Sequence, residues 1–500
     1  MGIIQKQGIR SSLYIIIGFV IGAFNLLILS TAFLSQAQLG ITRALIDSST
    51  TLVALCSLGS INIIYKFYPY YNDHLDLKKN DLPFLAALIS LVGFCLVTCL
   101  CFVFKGFIIR KLGKSPEFAD YFFHIFPFTF LSLSFLLLEA FMWGQHKTTI
   151  TNFLKETVVR LLTSLLLILL GFKIINFNTF MQGFSLLYFI PVIIVLVILI
   201  RSGKWRFNIV GPSKITRRLN KKMITFGAFI LGAHFLNVLA KTNDTFLVVG
   251  TQGLKEMGVF SIALYITAIM DVPQRSLSIA IPVLAKSWKD KDMANILHIY
   301  KQSVSNLLVV GLAMFGFIWL NIHNLSSFLT HTMSRGNQNW SMIEPVVLIL
   351  GIAKIIDLGT GVNASIIGTS NLWKFDFMTN VFYTVLSLPM NYFLIKSLGL
   401  SGLALSNLGA LILFNGFRYW FLWHKFDLQP YNIKHLQLLI ITTVIYLLVY
   451  FIPRQANIYL DTFIRVSVFG SLFLATLLKI NAAPDINNMI RKRVPFLFKL

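Results

Sequence analysis

Pairs of opposite charge stand one helical turn apart inside stretches long and apolar enough to cross a bilayer. Arg43 with Asp47, Lys241 with Asp244, Asp271 with Arg275 and Lys354 with Asp357 all follow this rule. Spacings of three or four put both partners on one helix face, where they can pair. A charge at the bilayer centre costs roughly 2.5–3.5 kcal/mol on insertion scales, so such residues face a protein interior or a wet cavity. Four charged helix faces turned to a shared interior read as a hydrophilic pathway, and the expected cargo is polar. Arg43, Lys241, Arg275 and Lys354 are the candidate substrate-binding cations. Asp47, Asp244, Asp271 and Asp357 are the candidate coupling or gating acids. The alternative, left open for each pair, is that it simply neutralises itself in a packed core.

The elements that must carry these residues are membrane helices. The chain has 500 residues, of which 56% are hydrophobic and 12% charged, with a mean hydropathy of +0.75. A soluble domain carries about 25% charged residues, so composition places this chain in the membrane class. About 14 apolar stretches of roughly spanning length are legible. They lie near 12–34, 40–65, 84–104, 120–141, 150–171, 177–200, 223–249, 257–280, 303–322, 342–367, 376–395, 400–423, 435–452 and 463–480. The expected fold is all-α and polytopic, and the short connections leave no room for a soluble domain.

The net charge of +24 would suggest nucleic acid in a soluble protein. Here topology explains it, and no nucleic-acid partner is expected. With both termini in the cytoplasm, inward segments outnumber outward ones in Lys and Arg by roughly three to one, as the positive-inside rule requires. The stretch 201–222 supplies Arg217, Arg218, Lys221 and Lys222 among others. One outward segment runs against the rule, with Lys105, Arg110, Lys111 and Lys114. Cys56, Cys95, Cys99 and Cys101 lie in spans without histidine neighbours, so they read as packing residues, and no metal or cofactor is expected.

The basic segment 201–222 divides the chain. The expected organisation is an N-terminal lobe over 1–200 with spans 1–6, the basic cytoplasmic linker 201–222, and a C-terminal lobe over 223–425 with spans 7–12. Two extra spans and a basic tail follow over 426–500. A faint repeat supports two six-helix halves: "LGITRALIDSSTT" after the first span answers "MGVFSIALYITAIMDVPQRS" after the seventh. Repeated bundles of this kind place their substrate at the repeat interface. Pro273 falls between Asp271 and Arg275 and removes a helix hydrogen bond, which suggests a kink there.

Several stretches resemble the oligosaccharide flippases of bacterial polysaccharide synthesis, within the superfamily that also holds the MATE drug exporters and the lipid II flippases. "GIIQKQGIRSSLYIIIGFVIGAFN" is similar to the family's first helix and "YKFYPYY" to the end of its second. "NDTFLVVGTQGLKEMGVFSIALYI" with "DVPQRSLSIAIPVLAKSW" resembles helices seven and eight. "KIIDLGTGVNASIIGTS" and "LPMNYFLIKSLGLSGLALSNL" resemble helices ten to twelve. The likeness runs from about residue 3 to 425 as an ordered series. It implies translocation of an undecaprenyl-diphosphate-linked oligosaccharide from the cytoplasmic to the periplasmic leaflet, for polysaccharide or lipopolysaccharide biosynthesis. It implies alternating access of two lobes around a cationic central cavity, in the bacterial inner membrane. Asp244 in "NDTFLVV" and Arg275 in "PQRS" are the positions it carries over most directly. Membrane lipids, a polysaccharide polymerase and glycosyltransferases are the implied partners, and a monomer is expected.

A lipid diphosphate suits these cations, because Arg grips phosphate bidentately and Lys offers a point charge. Alternatives from the same superfamily are a cation-coupled multidrug exporter and a lipid II flippase. An exporter of cations needs an acid-dominated cavity. The bases Arg43, Lys155, Arg160, Lys241, Arg275, Lys354, Arg418 and Arg465 are set against Asp47, Glu139, Glu156, Asp244, Asp271 and Asp357, which points to an anionic cargo. Lys155, Glu156 and Arg160 read as interfacial, with Arg418 and Arg465 peripheral and Glu139 and His234 lone polar groups. A membrane polymerase or glycosyltransferase is the third alternative. No Walker loop, zinc signature or serine triad accompanies the loops, so an enzyme is not expected.

Overall fold

A computed structural model describes residues 3–75, 80–111, 114–145, 147–202, 212–275, 280–330 and 340–493. The side chains of 3–12, Asp73, His74, Lys111, Ala233, Arg275, Trp373, Phe377 and 491–493 lie outside the described set. Among the described residues the secondary structure is helical throughout, with no strand. Two compact units meet at Gly258 and Val259.

The first unit opens with α1 (Leu13–Phe33), which contains a π-helical turn, Asn25–Ser30. Ser35 then caps α2 (Gln36–Cys56) reciprocally. Its hydroxyl accepts from Gln38 N at 3.1 Å, and Gln38 Oε1 accepts from Ser35 N at 2.9 Å, satisfying two of the orphan donors of a helix start. The helices α3 (Ser60–His74) and α4 (Leu82–Val103) follow, then a short α5 (Lys105–Lys111). Next come α6 (Pro116–Gly144) and a broken helix α7 over 148–171, with a second π-turn at Phe153–Val158. The unit continues with α8 (Phe177–Arg201) and the long α9 (Lys214–Thr251). Its core joins Ile64, Tyr71, Phe135, Phe141, Met142 and Leu199, all nearly or fully buried.

Each π-turn packs against the helix that carries the other. Asn25 donates to Arg160 O at 2.7 Å and accepts from the Ser164 hydroxyl at 2.6 Å. A Cβ on Gly18 would lie 2.2 Å from Glu156 O. Distortions of this type leave backbone groups without regular partners, and Asn25 supplies one.

The first turn of α10 (Leu254–Gln274) ends the first unit and packs on α2 backbone to backbone. A Cβ on Gly40 would stand 2.0 Å from Leu254 O, and one on Gly258 2.0 Å from Gln36 O. Gly40→Ala is therefore expected to destabilise the protein by about 1–3 kcal/mol, the usual cost of overpacking. Thermal unfolding in detergent checks this, with Gly232→Ala, where a Cβ meets nothing within 4 Å, as the neutral comparison.

In the second unit α10 loosens into a 3-10 turn, Ile269–Asp271, before the residues Val272–Arg275 that hold Pro273. It continues with α11 (Ala280–Asp290), α12 (Met293–Phe328), α13 (Ile343–Gly359) and α14 (Asn363–Thr369). The pair α13 and α14 bends by 46° at Gly361. Its φ of +61° is readily adopted only by glycine, and a Cβ there would meet Ser303 Oγ at 2.5 Å. The helix α15 (Trp373–Phe426) runs for 54 residues but is broken at Gly399, whose φ is also +61°. Last come α16 (Ile433–Tyr450), α17 (Ile458–Ile480) and α18 (Pro484–Arg493). Leu308, Leu312 and Leu320 of α12 pack with Leu438, Phe469 and Phe473 to join this C-terminal pair to the unit.

The chain is a multi-pass membrane protein. Among the described residues, eleven helices are long and apolar enough to cross a membrane, or twelve with the bent pair counted as one span. The expected 14 spans exceed this at two places. Residues 376–423 hold two of the expected spans but form one helix broken at Gly399. The segment 148–171 is helical, yet Lys155, Glu156 and Arg160 make it too charged to count on length and hydropathy. Trp340, just before α13, is fully buried.

Candidate functional site

In the first unit α2 and α9 run antiparallel and are fixed by hydroxyl contacts. Thr51 Oγ1 and Thr242 Oγ1 are 2.9 Å apart, and Thr245 donates to Asp47. Arg43 Nε donates to Asp47 Oδ2 at 2.7 Å, so this expected pair forms. Asp47 is nearly buried while the Arg43 side chain stays 35% exposed, leaving the guanidinium accessible. Lys241 is exposed and, among the described residues, makes no ion pair; the expected Lys241–Asp244 bridge is not formed. Asp244 is half-buried. The contacts Thr51–Thr242 and Asp47–Thr245 set the register of the two helices. Arg43 and Lys241 are then separated by about 13 Å of helix rise, too far to grip one phosphate group together without movement.

The second unit rearranges the expected pairs. Lys354 Nζ lies 2.6 Å from Asp271 Oδ1 and 2.8 Å from Oδ2, reaching across from α13 to the end of α10 rather than along its own helix to Asp357. Asp357 instead accepts from two neutral donors, Gln274 Nε2 at 3.3 Å and Asn415 Nδ2 at 3.1 Å. Asn415 Oδ1 accepts from Thr360 Oγ1 at 3.2 Å and Asn363 Nδ2 at 3.1 Å. One side chain of α15 thus joins Asp357 to both sides of the bend. Tyr431, in the connection before α16, donates to Gly359 O at 3.1 Å. Burial pushes its phenol up to about 12, so it keeps its proton and remains a donor. Arg275 belongs to the same stretch as Asp271 and Gln274, but its side chain lies outside the described residues.

Several charged residues have partners that the sequence reading did not assign. Glu139, read as a lone polar group, is buried and accepts from Lys155 Nζ at 3.3 Å. Its second oxygen has no partner among the described residues. Lys155 is therefore half-buried against α6 rather than simply interfacial, while Arg160 pairs with Glu156 at 2.9 Å. Arg418 is buried and pairs with Asp376. Arg465 is buried and pairs with Asp461 at 2.7 Å. Glu344 accepts from Ser326 Oγ at 2.5 Å and lies 3.1 Å from His323 Nδ1. Glu344 and Asp376 both fall within expected spans and bring the acids level with the eight bases. The excess of bases drawn from the sequence therefore disappears. The i,i+4 spacings of Asp461 with Arg465 and of Glu156 with Arg160 are usable signals; the partners of Glu139 and Glu344 lie on different helices, and Asp376 and Arg418 stand on opposite sides of the break in α15.

Among the described residues no cluster of His, Cys, Asp and Glu is arranged to hold a metal ion.

Neither the family models nor the curated protein sequences compared with the chain give a match. Solved structures do. The lipid II flippase MurJ in an inward closed conformation superposes with a TM-score of 0.72 at 12% identity, covering 94% of this chain and 98% of that one. An inward-facing MATE family multidrug resistance transporter of the MOP superfamily gives 0.62 at 14% identity, over 86% of this chain and 95% of that one. A Vibrio cholerae MATE transporter, VcmN, gives 0.52 at 15% identity, over 84% and 96%. The chain has the fold shared by MurJ and the MATE transporters.

Proposed function

We propose that the chain is a flippase for an undecaprenyl-diphosphate-linked oligosaccharide, carrying it from the cytoplasmic to the periplasmic leaflet by alternating access. Arg43, Lys241, Arg275 and Lys354 act on the diphosphate, and Asp47, Asp244, Asp271 and Asp357 act in coupling or gating. The protein works in the bacterial inner membrane with both termini cytoplasmic, as a transporter rather than an enzyme. The halves 1–200 and 223–425 move as lobes about the linker 201–222.

The observation that carries this reading is the reach of the fold likeness. The lipid II flippase aligns with 94% of this chain, against 86% and 84% for the MATE structures. A lipid-linked cargo fits the longer match better than a soluble drug does. The half-exposed guanidinium of Arg43 and the ion-pair-free Lys241 are suited to a diphosphate. A second reading, the cation-coupled exporter, draws support from the level count of acids and bases. Asp357, held by the neutral groups of Gln274 and Asn415, is also placed to take up a cation.

Leaflet-resolved translocation in proteoliposomes separates the two. The flippase reading expects movement of undecaprenyl-diphosphate-linked sugar, with lipid II as a parallel arm, and no uptake of a cationic drug. Arg43→Ala should slow that movement about ten-fold or more, since a hydrogen bond to a charged group contributes about 1.5–3 kcal/mol. Insertion and abundance should be unchanged. Drug export without lipid movement would establish the second reading and end the first.

A further inference from the structure

An apolar cavity in the first unit lies apart from the charged residues assigned above. It is a partly open pocket of about 320 Å³ between α2, α4, α5, α6 and α9, with Ala44, Ser48, Phe107, Phe118, Phe122 and Phe246 in its wall. The helix α5 closes one side through Phe107 and Ile108, and Phe107 is well exposed at the surface. This helix and the residues after it carry Lys105, Arg110 and Lys114, cations that break the charge rule obeyed by the rest of the chain. Lys105 Nζ stands 4.3 Å from the Phe123 ring centre and 5.9 Å from that of Phe122, itself a wall residue. Arg110 and Lys114 are exposed. Among the described residues none of the three forms an ion pair. The acids Glu117 and Asp120, exposed on the neighbouring 3-10 turn, form none either.

We propose that this cavity takes one acyl chain of an anionic phospholipid from the surrounding bilayer, with the headgroup resting on Lys105, Arg110 and Lys114. Water is a poor occupant, because it needs two to four polar partners and the wall offers mainly rings and aliphatic groups. An acyl chain meets the wall's chemistry, and the volume suits roughly ten methylenes if each fills about the 30 Å³ share of a liquid water. A basic residue near a membrane surface favours anionic over neutral lipid. Three of them give an expected preference of about ten-fold or more. The same binding accounts for the misplaced cations: the lipid holds them where the charge rule alone would not.

The test uses the full chain, delipidated in detergent and titrated with palmitoyl-oleoyl phosphatidylglycerol or phosphatidylcholine, with bound lipids counted by native mass spectrometry. The first phosphatidylglycerol should bind at least ten-fold more tightly than the first phosphatidylcholine. The triple variant K105Q/R110Q/K114Q should lose that preference. A control of equal charge change elsewhere, K214Q/R217Q/K221Q, should keep it, and Ser48→Leu, which fills the cavity, should weaken the first site for both lipids. All these side chains are at least partly exposed, so folding is not at stake. Equal affinity for the two lipids, a preference that survives the α5 triple variant, or one lost only in the control would each overturn the proposal. So would unchanged binding in Ser48→Leu. Modification of Cys101, a wall residue, by maleimide in a Cys95→Ala/Cys99→Ala background adds a local readout. Phosphatidylglycerol should slow it several-fold, and no slowing would place the bound lipid elsewhere.

Discussion

Replacing Arg465 with Ala is expected to destabilise the second unit by about 3–5 kcal/mol, the cost of stranding one member of a buried ion pair. Arg465 sits on α17 with its side chain only 3% exposed, and Asp461 opposite it is 2% exposed. The guanidinium serves three purposes at once. Nε meets Asp461 at 2.7 Å, Nη1 donates to Val449 O at 2.9 Å and Nη2 to Ile452 O at 2.9 Å. Val449 and Ile452 lie at the end of α16, where carbonyls lack partners within the helix. The arginine therefore caps one helix from the next. Asp461 is held by Asn324 Nδ2 of α12 at 2.7 Å and by Gln455 N at 3.0 Å, which ties both C-terminal helices to the body of the unit. Removing the arginine alone leaves a buried carboxylate without its counter-charge and takes the guanidinium's hydrogen bonds from two carbonyls. Removing both charges, as in Arg465→Met/Asp461→Leu, should cost less, because well-packed apolar replacements often match a buried pair. Thermal unfolding of the full chain in detergent checks the order: the single variant should melt lower than the double variant. A single variant that melted like the parent would show that this cluster does not hold the helix pair.

The same cluster shows what could be read from sequence and what could not. Helix positions were legible because membrane spans are long apolar runs, and Arg43 with Asp47 paired as their spacing required. Spacing says which residues share a face, yet it does not say which helix lies opposite. Lys354 and Asp357 share a face, but Asp271 at the end of α10 lies nearer the ammonium, so the pair crossed helices. Glu139 read as solitary for the same reason, since Lys155 comes from another helix. The break at Gly399 and the bend at Gly361 depend on backbone conformations that hydropathy does not encode, and this is where expected spans and observed helices part. Arg465 was read as peripheral although its acid stood four residues away. A polar residue near a span end is easily taken for a snorkelling one, and only the two α16 carbonyls that the guanidinium also reaches show that it is buried.

Asp271→Asn is expected to slow repeated turnover of lipid-linked sugar by ten- to a hundred-fold while leaving cargo binding intact or tighter. In the proposed cycle the diphosphate takes Lys354 from Asp271. Both carboxylate oxygens lie within 2.8 Å of the ammonium, so cargo and acid compete for the same cation. After release, the empty protein must close around Lys354 before it can reopen, and burying an unpaired ion costs several kcal/mol. Asp271 removes that cost by re-pairing. Asn keeps the shape and one acceptor but no charge, so the closing step bears the loss. Lys354→Ala should fail differently, with weaker binding of the diphosphate and a leftover acid. The swapped variant Asp271→Lys/Lys354→Asp separates this scheme from a purely structural clamp: it rebuilds the ion pair and should recover stability. Turnover should stay low, because the cation has moved to the wrong helix. Single-turnover binding and multiple-turnover translocation, measured side by side in proteoliposomes, check each step. An Asp271→Asn variant that turned over normally but bound cargo poorly would contradict the assignment. A swapped variant with full turnover would reduce the pair to scaffolding.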